Sequence, residues 1–113
     1  MLYGRLHIRK TVTNHRGSAI FEITHTGNGR IELQGRFDAS QRERAREILS
    51  LVNDSCVVDF KGLDYISSAG LGVLLEVQKR LQKSGHGLKL INLNDHVREI
   101  FRIIRFDHIF EIE

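Results

Sequence analysis

Proline and tryptophan are absent from this 113-residue chain, and cysteine occurs once. The lone Cys56 has no partner for an internal disulfide, and there is no C-x-x-C pair to hold a metal or run a redox cycle. It opens the apolar run CVVDF, where a small buried hydrophobe is the natural reading. No stretch approaches the roughly 18 apolar residues of a membrane span. The start, MLYGRLHIRK, lacks the uninterrupted apolar core of a signal peptide, so a cytoplasmic protein without membrane insertion is expected. Charge of one sign is also scarce, with 17 basic against 14 acidic side chains, short of the dense basic stripe that nucleic acid would require. The surplus is uneven, because residues 1–19 hold Arg5, Arg9, Lys10 and Arg16 and no acid. That segment reads as a solvated basic arm or an extra strand. The six histidines, at positions 7, 15, 25, 86, 96 and 108, show neither helical i, i+4 nor hairpin i, i+2 spacing, so no metal site is expected.

What is present suits one compact domain, with 41% hydrophobic residues. AIFEITHT alternates apolar and polar positions, GNG at 27–29 is a turn signal, and RIELQGRF alternates again, so residues 20–37 read as a hairpin. The period then changes. Ala45, Ile48, Leu49 and Val52 form a helical stripe opposite Arg42, Arg46 and Glu47, with Asp38 or Ser40 available as N-cap. CVVDFKGL is a short apolar strand, and from Leu71 the positions 71, 74, 75 and 81 share one helical face. SGHG at 84–87 stops that helix. LKLINL reads as a strand, Asn94 or Asp95 caps a helix with Val97, Ile100, Phe101 and Ile104 on its apolar face, and HIFEIE closes as a strand. Strands alternating with helices imply an α/β domain with largely parallel pairing.

The chemistry concentrates in YISSAGLGVLLEVQKR, residues 65–80, where hydroxyls and glycines sit between two apolar elements. A serine-hydrolase elbow needs G-x-S-x-G, and Ile66 stands where the first glycine belongs before Ser68. A phosphate cradle is equally poorly served. Gly70 and Gly72 lack the third glycine of a dinucleotide site, and no GxxxxGK[ST] occurs. In the bland reading those two glycines let the helix start approach a strand closely. A third reading is a capped turn. If Ser67 caps the helix, Ser68 is its first residue, with a free hydroxyl at the positive end of the helix dipole. Phosphorylation there would add ~1.5 to 2 negative charges without opposing the helix. From the residues alone, two serines that merely cap remain the simpler account.

Residues 20–113 resemble the STAS domain, in particular the bacterial anti-sigma-factor antagonists. IELQGRFD at 31–38 is similar to the family's strand ending in G-x-[LF]-D. VVDFKGLDYISSAGLGVLLEVQKRL at 57–81 is similar to its central strand, phosphorylation loop and second helix, and LKLINLNDHVREIFRIIRFDHIFEI to the closing segment. The resemblance implies a small α/β domain, a mixed and mostly parallel sheet with helices packed chiefly on one side. It implies a phosphoacceptor at Ser68, within a helix cap and phosphorylation loop of Ser67, Ala69, Gly70 and Gly72. Asp38, Ser40, Ser67, Ser68 and Leu71 would face the partner. Those partners would be an anti-sigma factor that is itself a serine kinase, and a metal-dependent serine phosphatase. Two positions depart from the family's D-S-[ST]-G-L-G: Ser67 stands for the aspartate and Ala69 for the following Ser/Thr.

The expected function is therefore a protein-binding switch, not an enzyme and without a cofactor, that binds its kinase when unphosphorylated and is released by phosphorylation at Ser68. A STAS subunit that does not switch, as in a transporter or other signalling complex, would instead show no phosphoryl adduct by intact mass. A small anion or nucleotide binder at the 67–72 helix start would give heat on titration with phosphorylated metabolites.

Overall fold

The computed structural model describes residues 8–13, 19–26 and 28–113, so Arg5 and Arg16 of the basic segment and Gly27 of the turn lie outside the described residues. Strand β1 (Ile8–Thr13) pairs antiparallel with β2 (Ala19–His25), which pairs antiparallel with β3 (Arg30–Phe37). Gly29, at φ +83°, supplies the left-handed residue of the β2–β3 turn. A short 3₁₀ turn (Ala39–Gln41) leads into α1 (Arg42–Leu49), then β4 (Cys56–Ile66), α2 (Ser68–Gln82) and β5 (Leu88–Ile91). Helix α3 (Asp95–Ile103), a second 3₁₀ turn (Phe106–His108) and β6 (Glu111–Ile112) complete the chain. The sheet order is β1-β2-β3-β4-β5-β6, with β3 through β6 parallel.

That order explains where the helices go. Each crossover from β3 to β6 steps to the next strand in the same direction. Right-handed crossovers taken always in one direction put every helix on one face. The burial pattern follows: Phe21, Ile23, Ile31, Leu33, Phe37, Val58, Phe60, Leu88 and Leu90 are buried toward the helices. Phe101 of α3 is fully buried and meets Phe60 edge-on, with ring centroids 5.9 Å apart. The predicted stripe Ala45, Ile48, Leu49 and Val52 is buried as expected. Arg46 forks onto Glu76 at 2.9 and 3.0 Å, joining α1 to α2. Arg80 donates to the carbonyls of Leu49 and Val52, satisfying the end of α1. Among the described residues no helix is long and apolar enough to cross a membrane.

Four local expectations need correction. The central strand does not stop at Leu63 but runs to Ile66, staying paired with β3 through two register shifts that absorb its broken alternation. Asp38 caps the 3₁₀ turn rather than α1, whose own N-cap, Gln41, makes no side-chain capping bond. Ile104 is not on a buried face: α3 ends before it, Arg105 turns left-handed at φ +66°, and Ile104 is 40% exposed. The closing run HIFEIE yields only a two-residue strand, because its first half coils into the second 3₁₀ turn.

The sheet's other face is polar and carries a buried charge. Asp59, 7% exposed, accepts from Arg30, from Asn92 Nδ2 at 3.0 Å and from the Lys61 N–H at 2.8 Å. Burial alone would push this carboxyl up; the bonds from Asn92 and Lys61 and the Arg30 charge outweigh it and hold it below the usual range. The Asp59 carboxylate therefore adds stability in full above its unfolded value near ~3.9, and that contribution is lost as pH falls through the lower folded value. Asp59→Asn is expected to lose about 1–3 kcal/mol at neutral pH and to flatten the acid limb of the stability curve. Urea melts from acid to neutral pH check this, and an unchanged acid limb would refute it.

Candidate functional site

Strands β3 and β4 end together, Phe37 opposite Ile66, so Asp38 and Ser67 leave the sheet side by side at its carboxyl edge. This is the edge where parallel α/β sheets present their loops. The Ser67 N–H donates to the Phe37 carbonyl at 2.8 Å, the last rung of the ladder. Ser67 is extended, at φ −88° and ψ 171°, and its Oγ accepts the Gly70 N–H at 3.2 Å. Its carbonyl accepts the Leu71 N–H at 2.9 Å, starting α2. Ser67 is thus the N-cap. Replacing Ser67 with alanine removes that bond and should lower stability by ~1 kcal/mol while leaving the Ser68 hydroxyl in place, a combination that a urea melt and phosphosite mapping together would check.

Ser68 is the first helical residue and is exposed, and its hydroxyl makes no hydrogen bond to any described residue. Ala69 is half-buried. The two glycines separate in role. A Cβ on Gly70 would fall 2.9 Å from Ile66 Cγ1 and 3.0 Å from Phe37 Cγ, so Gly70 admits the close approach of helix and strands. A Cβ on Gly72 would meet no described atom within 4 Å beyond its own stretch of helix, so the close-approach reading does not extend to it. Leu71, expected on the partner surface, is only 7% exposed and packs in the core.

Beside this helix start lies the Asp38 turn. Asp38 Oδ1 accepts from the Ser40 N–H at 3.0 Å and from the Ser40 hydroxyl at 2.7 Å. The Asp38 N–H donates to Gln41 Oε1 at 2.6 Å, closing a reciprocal capping box. Gln41 is fully buried, and its Nε2 has no hydrogen-bond partner among the described residues. The spacing D-x-x-Q is the signal that would have marked Gln41 in the sequence. Asp38 and Ser40 thus hold each other rigidly next to the loop that carries Ser68. Arg36, one residue before the strand ends, lies over the Tyr65 ring at 4.3 Å from its centroid, a neighbour the sequence reading did not single out.

This arrangement offers an accessible hydroxyl at a helix start that is already capped. No histidine among the described residues bonds either serine; His86, near Asp54 and Ser55, belongs to the loops before β4 and β5, at the opposite edge of the sheet. Among the described residues no three metal-ligating side chains cluster. Cys56 is 7% exposed, and burial followed by the Asp54 charge pushes its thiol up, away from reactive thiolate.

Residues 21–111 match a family model described as "Mlab, STAS domain". The chain is 40% identical over 84 residues to a Bordetella bronchiseptica protein named "Putative anti-sigma factor antagonist BtrV", covering 71% of this chain and 72% of that one. Among solved structures it resembles the anti-sigma factor antagonist SpoIIAA in its unphosphorylated form, with a TM-score of 0.59, 20% identity and coverage of 74% and 82%. It also resembles the Bacillus cell-fate determinant SpoIIAA in the phosphorylated form, with a TM-score of 0.60, 19% identity and coverage of 82% and 90%.

Proposed function

The chain belongs to the STAS domain family of anti-sigma-factor antagonists, and from that premise we propose that it is a phosphorylation-controlled binding switch with Ser68 as the acceptor. It acts by binding an anti-sigma factor rather than by catalysis, and the ATP is its partner's. The observation that carries this reading is the exposed Ser68 hydroxyl, bonded to no described residue, on a helix whose cap is supplied separately by Ser67. Because the cap does not depend on Ser68, modification there leaves the fold intact. A phosphate adds ~1.5 to 2 negative charges, which the N-terminal end of α2 tolerates. The surface therefore changes sign without refolding, and a partner that sits on the neutral loop is released. The family's serine phosphatase would reset the switch. The aspartate that the family places before the acceptor would repel a phosphoserine; Ser67 avoids that repulsion.

Incubating the full chain with its purified anti-sigma kinase and ATP, followed by intact mass and peptide mapping, tests the reading. One phosphoryl group on Ser68, and weaker kinase binding afterwards, is the expected result; a labelled Ser67 or no label contradicts it.

A second reading has its own support, since the matching family model is described by Mlab rather than by an antagonist. In that case the domain is a constant subunit of a larger complex. It would then carry no phosphate in any growth state, and intact mass of the chain purified from its host separates the two readings.

A further inference from the structure

The site contains an arginine that forms no salt bridge with any carboxylate among the described residues. From Arg30 onward, each arginine other than Arg36 and Arg105 is held by an acidic side chain or a backbone carbonyl. Arg36 is exposed and rests instead on Tyr65. The register shows how that comes about. Gly35 pairs with Leu63, and an unbroken ladder would set Arg36 opposite Asp64. A shift between Gly35 and Arg36, with Gly35 at φ +91°, puts one extra residue on β4 and brings Tyr65 opposite Arg36. The bulge thus gives the guanidinium an aromatic platform in place of an ion-pair partner.

The next rung is Phe37 with Ile66, both buried toward the helices, so Arg36 and Tyr65 stand on the opposite, open face. Ser67 follows Tyr65 by two residues, which is about 7 Å of strand. A guanidinium stacked on a ring has lost freedom before any partner arrives and keeps its fork of donors for a carboxylate. Arg and Tyr side by side are also the residue types that dominate binding energy in interfaces.

We propose that the Arg36–Tyr65 pair anchors an acidic side chain of the partner that docks on the Ser68 loop, so that the contact surface turns from the start of α2 onto the open face of the sheet. This rests on the reading of Ser68 as that partner's substrate.

The test compares wild type, Arg36→Glu, Arg36→Lys and, as a charge-matched control elsewhere on the open face, Lys61→Glu. Each is assayed with the purified anti-sigma kinase, by phosphorylation rates at low and high salt and by calorimetric binding without ATP. Arg36→Glu should raise KM and Kd by about 10–100-fold, with kcat within about twofold of wild type, because like charges then face each other. Arg36→Lys, which keeps the charge but loses the fork and the stacking, should fall between. Wild-type binding should weaken with salt more steeply than that of Arg36→Glu. Thermal midpoints should stay together, since Arg36 is exposed. If Arg36→Glu behaves like Lys61→Glu, the inference is overturned. It is also overturned if the variant changes only the behaviour of phosphorylated chain, which would assign the guanidinium to the phosphoserine. If wild type is not phosphorylated at all, the acceptor reading fails, and the calorimetric comparison still decides whether Arg36 holds the partner.

Discussion

On the proposed function, Ser68→Ala should fold as wild type does, bind the proposed anti-sigma kinase and take up no phosphate, reducing labelling from the expected one phosphoryl group per chain to background. The stability change should be small because the lost hydroxyl bonds to no described residue, whereas the cap at Ser67 remains. Ser68→Asp and Ser68→Glu should fold too, since an acidic side chain at a helix start is favourable by ~0.3–1 kcal/mol. Both should bind the proposed kinase less tightly, because on that reading they place charge in the contact. Together the variants separate loss of the acceptor from loss of the loop. Labelling of Ser68→Ala at the wild-type level would move the acceptor to Ser67, and tight binding by Ser68→Glu would mean that charge at this point does not release the partner.

The second large effect lies two residues further along the same helix and concerns the fold itself. Gly70→Ala should destabilise by about 1–3 kcal/mol, although alanine is the better helix former by ~1 kcal/mol. The added methyl meets Ile66 and Phe37, and neither can withdraw. Ile66 is 3% exposed, and Phe37 is fully buried and stacked on Phe21 with centroids 4.4 Å apart. Small domains have only about 5–15 kcal/mol in total, so the urea midpoint should fall clearly. Gly72→Ala should do the reverse and raise stability by ~0.5–1 kcal/mol, because its methyl enters open space and only the propensity gain remains. Opposite signs at neighbouring glycines are the diagnostic. A Gly70→Ala midpoint at or above wild type would show that α2 does not press on the strand ends as described.

Much of this architecture follows from local pattern. The alternation in residues 20–37 is the hairpin, Ala45, Ile48 and Leu49 of the stripe are the buried side of α1 with Val52 buried just beyond its end, and a serine before an apolar helical run is its cap. These rules connect residues a few positions apart, so the sequence contains all their terms. It was also enough to single out Ser68 as a hydroxyl left over once Ser67 has capped, though not to choose between a plain cap and a switch.

The features that were not legible depend on register between strands distant in sequence. Whether Gly70 or Gly72 sits against the strand ends, and whether Arg36 meets Asp64 or Tyr65, depend on how β3 and β4 meet. A one-residue shift exchanges the faces of a strand, and nothing in a single strand's composition encodes the two shifts that β4 makes against β3. By itself the sequence determined the order of the elements, the helix start and the hydroxyl placed on it. Only the tertiary structure decided what surrounds that hydroxyl, because a bulge trades one cross-strand neighbour for another across nearly thirty residues of intervening chain.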